Sequence, residues 1–394
     1  MAAMVSATAP DVALVRDRTR TQALPWVVWT AVAATVSAVA GDVWDISWHV
    51  SVGRDTFWTP PHLLVQLCAA IGGLTAAYLV LRTTLATDAP ERAASVRVLG
   101  LRAPLGAFVC GWGALTMIVA AGFDNWWHEA YGLDVKVVSP PHAVLILGGF
   151  AVIFGGVLMT ISHLNRANPE LLGRLESVLV FLMGALMLSS HANLIEFSNR
   201  VLMHSAIFYV WFSVPFAALL ALVRAVAGRR WACTQAAAVY TALSLAQEWL
   251  LPLFPAEQKL APIYQRVPYM VPLGFPVLVI VPAVLIDLVW PRVERWRGWW
   301  RAAALGAVFL FAFVAVQWPF AEFLLSGMAR NRVFGSHYTM YLIPPGSPVT
   351  RDEFFASERS PAAFWAGMAI ALAGAMVASA VGLAAGRWGR RLQR

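Results

Sequence analysis

HAVLILGGFAVIFGGVLMTIS, residues His142–Ser162, runs for 21 positions without a charged side chain. A bilayer core of about 30 Å needs roughly 20 apolar residues per helix. In lipid a spanning segment must be helical to satisfy its own backbone. The stretch therefore predicts a transmembrane helix, and nine more surround it, at about 25–44, 62–81, 103–123, 176–195, 203–223, 232–251, 268–290, 302–326 and 362–386. The segment at 268–290 carries Pro272, Pro276 and Pro282 and is expected to be kinked or broken. The expected fold class is all-α: a polytopic membrane helix bundle of about ten transmembrane helices with an internal helical-hairpin repeat.

Composition agrees with this reading. Of 394 residues, 59% are hydrophobic and only 13% charged, with 18 Trp and 21 Phe. Mean hydropathy is +0.66. A soluble domain carries about a quarter charged residues, so the composition excludes an ordinary globular enzyme, a disordered chain and a nucleic-acid-binding domain. Cys68, Cys110 and Cys233 all fall within apolar stretches. They are too dispersed for a disulfide framework or a cysteine metal site.

Charge sets the expected orientation. Twenty Arg, against eight acidic residues, fall in the N-terminal tail, the C-terminus and alternate loops such as 82–102 and 291–301. The opposite loops hold nine basic and thirteen acidic residues. Basic residues stay in the cytoplasm, so both termini are expected inside a plasma (inner) membrane crossed many times. The net charge of +8 is then a topology signal and not a nucleic-acid footprint. The start of the chain imitates a secretory signal, with Arg16, Arg18 and Arg20 before an apolar run ending at Ala38-Val39-Ala40. That run exceeds the usual 7–15 residue signal core, and it reads as a helix. Three regions follow: a cytoplasmic tail at 1–24, a four-span module at 25–165, and six further spans at 166–394.

The module at 25–165 contains the repeat. Asp45-Ile-Ser-Trp-His49-Val-Ser-Val-Gly53-Arg54-Asp55 leads to Thr59-Pro60-Pro61-His62. At an offset of 79–80 residues, Asp124-Asn-Trp-Trp-His128-Glu-Ala-Tyr-Gly132-Leu133-Asp134 leads to Ser139-Pro140-Pro141-His142. Asp45 and His49 are four apart and share a helix face. Pro-Pro suits the first turn of the next helix, and the loop brings His62 back beside that face. The same reasoning joins Asp124, His128 and His142. Each hairpin thus offers two imidazoles and one carboxylate, a set that takes copper, iron or zinc without geometry alone choosing among them. The alternative is a set of polar caps at helix ends. Two matching triads at a membrane edge favour metal, since ionisable residues in spans are usually functional.

A weaker echo is His191 and His204, thirteen apart, with Met187 in place of the acid and Asn193 or Glu196 nearby; it reads as structural. Glu248, Glu257, Glu322 and His337 lie on the same side without usable spacing, and His163 reads as an ordinary loop residue of the inner side. Trp44, Trp48, Trp58, Trp126 and Trp127 form an aromatic belt, with a secondary role as walls of an apolar pocket. The loop at about 327–361 is long enough to serve as a lid or docking segment.

The first motif resembles a metal site of the copper-dependent membrane monooxygenases, the particulate methane and ammonia monooxygenase family. That site follows D-x3-H-x12-H, with Arg-Asp-Thr and Thr-Pro before the second His. The second family site follows N-x3-H-x13-H, and this chain keeps its spacing with Asp124 in place of Asn. The resemblance spans about residues 25–165. It implies that Asp45, His49 and His62 ligate one copper and that Asp124, His128 and His142 ligate a neighbouring one. Arg54, Asp55 and Asp134 would stand behind the ligands and tune their charge. The family works as a three-subunit complex with a soluble copper-binding domain, and this chain contains no such domain.

The expected function is a membrane-embedded copper-dependent oxidoreductase, monooxygenase-like, which oxidises a small apolar substrate with O2. Its electron donor would be a quinol or a partner subunit. One alternative is a copper-binding or copper-handling protein without turnover. The other is a transporter, which the clustering of ionisable residues at the membrane edge disfavours.

Overall fold

A computed structural model describes residues 23–53, 58–132, 139–195, 200–257, 259, 268–335 and 358–392. The described residues are almost entirely helical. The α-helices are α1 (Trp26–Ser51), α2 (Pro60–Leu85), α3 (Leu105–Tyr131), α4 (Pro140–Leu164), α5 (Pro169–Asn193), α6 (Ala206–Val226), α7 (Ala232–Leu250), α8 (Ile280–Val293), α9 (Gly298–Leu324) and α10 (Pro361–Gly389). One short antiparallel hairpin, β1 (Val96–Val98) with β2 (Leu101–Ala103), lies between α2 and α3. Eight helices are long and apolar enough to cross a membrane, as in a multi-pass membrane protein; α7 and α8 are the two that are not.

The expectation of ten long apolar helices is thus met by eight, and the reasons are local. Helix α7 carries Gln235, Gln247 and Glu248 within 19 residues. Helix α8 has only 14 residues, because the chain before it is non-helical from Met270 to Val279. Pro272 and Pro276 would each remove a helical hydrogen bond and clash with the preceding turn. Pro282 falls in the first turn of α8, where its missing N–H costs nothing.

Non-helical backbone inside a helix bundle must find other partners, and here side chains supply them. Ser51 Oγ accepts from the Val271 N–H at 2.7 Å and Gln247 Oε1 from Leu273 at 3.0 Å. The Tyr240 hydroxyl accepts from Val277 at 3.1 Å and Gln317 Oε1 from Leu278 at 2.9 Å. Gln317 is fully buried on α9 and also donates to Met203 Sδ. Its replacement by Leu keeps the volume and orphans the Leu278 N–H, so Gln317→Leu should destabilise the fold by about 1–3 kcal/mol. Thermal unfolding at fixed detergent checks this, and an unchanged midpoint would show that the segment is not seated as described.

The larger core is aromatic and centred on α6, where Phe208, Tyr209, Phe212 and Phe216 meet Phe309 and Phe313 of α9 and Tyr240 of α7. The smaller core joins α1 to α4 through small side chains, among them Ala34, Ala38, Ala69, Ala76 and Ala114, with Cys68 and Cys110. All three cysteines are buried and free. Small residues here let backbones approach closely. A side chain on Gly113 would strike the Gly148 carbonyl, and one on Gly41 would strike Val65. These contacts draw α1 onto α2 and α3 onto α4, which sets the width of each hairpin.

Candidate metal centre

Helices α1 and α3 end, and α2 and α4 begin, at one end of the bundle, and local chemistry fixes all four termini alike. Gly53 follows α1 with φ +99° and Gly132 caps α3 with φ +83°. Only glycine takes this left-handed backbone without strain, which explains why the repeat keeps a Gly four residues after each first His. Thr59 and Ser139 are the N-caps of α2 and α4. Their hydroxyls accept from the backbone N–H of His62 and of His142, at 3.4 Å each. The two prolines occupy the first helical positions. The repeated Gly, the Thr or Ser and the two Pro thus either stop one helix or start the next.

These termini bring the expected ligands together. His49 Nε2 and His62 Nε2 lie 3.4 and 3.1 Å from Asp45 Oδ1. His128 Nε2 and His142 Nε2 each lie 3.3 Å from Asp124 Oδ1. Within each triad the three ligand atoms fall within 4.8 Å of one another. Metal–ligand bonds of about 2.0–2.2 Å at tetrahedral angles place neighbouring ligand atoms about 3.3–3.6 Å apart, close to what both triads present.

The carboxylates add a sharper test. Asp45 Oδ1 and Asp124 Oδ1 are buried, yet neither makes a hydrogen bond among the described residues. Each of these oxygens is instead ion-paired with the two imidazoles that face it. A carboxylate that gathers two imidazole nitrogens in this way presents one O,N,N donor set to a shared cation. Two nitrogens and one oxygen around a common point therefore fit a bound metal ion in each hairpin, with further coordination positions open. The imidazole side chains retain 19–25% exposure, enough for an ion to enter.

What stands behind the ligands is partly visible. His128 Nδ1 lies 3.1 Å from the Gly132 carbonyl. A proton on Nδ1 donated to that oxygen leaves the Nε2 lone pair for a metal. His49 Nδ1 is buried without a hydrogen bond among the described residues. Arg54, Asp55 and Asp134, expected behind the ligands, lie outside the described residues. The two triads are neighbours, because His62 is near enough to Asp124 for their charges to interact.

One residue beside the first triad escaped the sequence reading. Asp42 lies one turn before Asp45 on the same face, and its Oδ2 accepts from Ser189 Oγ of α5 at 2.9 Å. The spacing of Asp42, Asp45 and His49 along one face was the available signal.

The other expectations sort clearly. His191 and His204 do not join a triad. His191 Nδ1 pairs with the Tyr240 hydroxyl at 2.8 Å, while the His204 ring packs edge-on to Trp318. Among the described residues only the two hairpin triads group metal-binding side chains in this way. Glu248 is buried, and a side chain at Gly335 would collide with its carboxylate. Glu196, His337 and most of the loop at 327–361 lie outside the described residues. His163 is not in a loop: it sits in the last turn of α4. Trp58 and Trp126 are largely exposed at the triad end, as a belt requires.

Compared with known proteins, the chain matches no family model, no curated protein and no solved structure.

Proposed function

We propose that this chain is a membrane-embedded copper protein that oxidises a small apolar substrate with O2. The observation that carries the reading is the pair of triads, each with two Nε2 atoms and a carboxylate oxygen around one point. Imidazole and carboxylate accept copper, zinc and iron alike. Copper is preferred because the spacing and flanking residues of both motifs resemble those of the copper-dependent membrane monooxygenases.

Asp45, His49 and His62 would hold one ion, and Asp124, His128 and His142 the other. Bound copper would supply one-electron redox chemistry and O2 activation. The chain's own groups orient and admit. The Gly132 carbonyl fixes the His128 ring, and each Asp would neutralise part of the ion's charge. A small apolar substrate dissolved in the bilayer would reach this end along the aromatic surface near Trp58 and Trp126. Electrons would come from a quinol or a partner subunit.

The topology belongs to the same proposal. The triad end lies outside a plasma membrane and both termini lie in the cytoplasm, with α7 and the broken α8 segment completing ten crossings of a chain whose first two hairpins are a repeat. The excess of Arg at the opposite end supports that orientation.

Oxygen uptake by copper-loaded protein, given a quinol and a small hydrocarbon, tests the activity. The expected result is substrate-dependent uptake that His49→Ala abolishes while the variant stays folded and membrane-inserted. Undiminished turnover in His49→Ala would sink the catalytic role. Copper retention with no substrate-dependent uptake by the wild type would point instead to copper capture without turnover.

A further inference from the structure

At the end of the bundle away from the triads, α1, α2, α4 and the chain between α2 and α3 enclose a cavity of about 180 Å³. Its walls are largely apolar and include Trp26, Leu79 and Met159, while Glu91, His163 and Arg166 bring charge and hydrogen-bonding capacity to it. Nothing in the metal-centre reading uses these residues.

Each polar group keeps capacity in reserve. Arg166 donates from Nε to the Ser162 carbonyl at 2.9 Å and from one terminal nitrogen to Ser162 Oγ at 3.2 Å. Its other terminal nitrogen makes no hydrogen bond among the described residues. The His163 ring, half-buried, makes none to any described residue, although it lies within electrostatic reach of both Arg166 and Glu91. Glu91 is ion-paired with Arg82 at 3.8 Å, and its Oε2 makes no hydrogen bond among the described residues, which leaves it able to accept from a closer N–H donor.

Position and charge identify the occupant. The cavity opens at the ends of spanning helices, beside the exposed Trp26 ring, which packs edge-on to Tyr78 at 5.4 Å. Aromatic side chains of this kind mark the headgroup level of a bilayer. A purely anionic ligand would meet repulsion from Glu91, and a purely cationic one repulsion from Arg166. A ligand that carries a phosphate and an ammonium a few bonds apart satisfies both, and a volume of about 180 Å³ accommodates such a headgroup.

We propose that this cavity binds the headgroup of an aminophospholipid, with Arg166 and His163 on the phosphate and Glu91 on the ammonium. An ammonium offers three N–H donors to the carboxylate, whereas the trimethylammonium of choline offers none and is bulkier. The apolar walls take the glycerol carbons, and the acyl chains leave along the outer surface of α1 and α2.

The test uses full-length protein, delipidated in detergent and titrated with short-chain phosphatidylethanolamine, phosphatidylcholine and phosphatidylglycerol, and with soluble phosphoethanolamine, under native mass spectrometry. Phosphatidylethanolamine should bind the wild type at least about fivefold more tightly than the other two lipids, the worth of one modest charged contact. Glu91→Gln should bring that preference close to one, and Arg166→Gln should weaken all three phospholipids. Equal binding of the three lipids by the wild type would overturn the proposal without any variant, so a misfolded mutant cannot protect it. Soluble phosphoethanolamine binding as tightly as the lipid would overturn the assignment to a membrane ligand.

Discussion

Asp287→Ala should lower the stability of the fold by about 3–5 kcal/mol, the cost of removing one partner from a buried ion pair. Asp287 lies on α8, with Oδ1 3.4 Å from Arg224 of α6, and both side chains are buried. Its Oδ2 accepts from the Thr234 N–H and hydroxyl, at 2.8 Å each, and so closes the N-terminus of α7. Arg224 in turn donates to the carbonyls of Ala227 and Arg230 just beyond α6. One carboxylate thus joins three helices, and its loss leaves a buried guanidinium and two helix-end groups without a counterpart. Asp287→Asn keeps an acceptor and loses the charge, so its cost should fall between wild type and Ala. The double change Arg224→Leu with Asp287→Leu should cost less than Asp287→Ala alone, because it leaves no unpaired charge. Thermal unfolding at fixed detergent ranks the four proteins. Equal midpoints would show that this junction contributes nothing.

Asp45→Ala should weaken metal binding in the first hairpin by more than about 100-fold, beyond the 10–100-fold typical of residues that only support a ligand. Asp45 supplies the one oxygen that both His49 and His62 face, and without it two neutral imidazoles must hold a cation alone. The second hairpin offers a contrast. Asp124→Asn keeps an oxygen at the same place and removes one negative charge, so metal should remain there with a changed spectroscopic signal. Copper titration followed by electron paramagnetic resonance reads both effects. Unchanged affinity in Asp45→Ala would remove it from the ligand set.

Much of this architecture is legible in the sequence because its signals are local. Uncharged runs such as His142–Ser162 mark spans by length alone. The triads are legible because Asp45 and His49, or Asp124 and His128, share a helix face by spacing, and because a Thr-Pro-Pro or Ser-Pro-Pro start fixes where the next His enters. The role of Gly53 and Gly132 becomes clear only when the backbone shows a positive φ at both.

What the sequence conceals depends on partners distant along the chain. Apolar content at 268–290 imitates a span, but Pro272 and Pro276 exclude a helix until Ile280. The residues that make the extended segment tolerable, Ser51, Tyr240, Gln247 and Gln317, come from three other helices far apart in the chain. In the same way, His191 and His204 keep the thirteen-residue interval of a metal hairpin, yet packing gives them to Tyr240 and Trp318. An interval brings side chains to one end of a hairpin; the acid at the third position decides whether they make a site. His163 reads as a loop residue because α4 runs two residues past its apolar run.

The central claim is that the two hairpins hold metal. Elemental analysis of protein purified from copper-replete membranes, beside the double variant His49→Ala/His128→Ala, tests it most directly. The account predicts one or two copper atoms per wild-type chain and none in the double variant, with both proteins folded and membrane-inserted. Zinc in place of copper would keep the sites and overturn the oxidoreductase, whereas iron would keep the sites and overturn only the choice of copper. Background levels of copper, zinc and iron in the wild type would contradict the claim and leave the triads as polar caps at the ends of four helices.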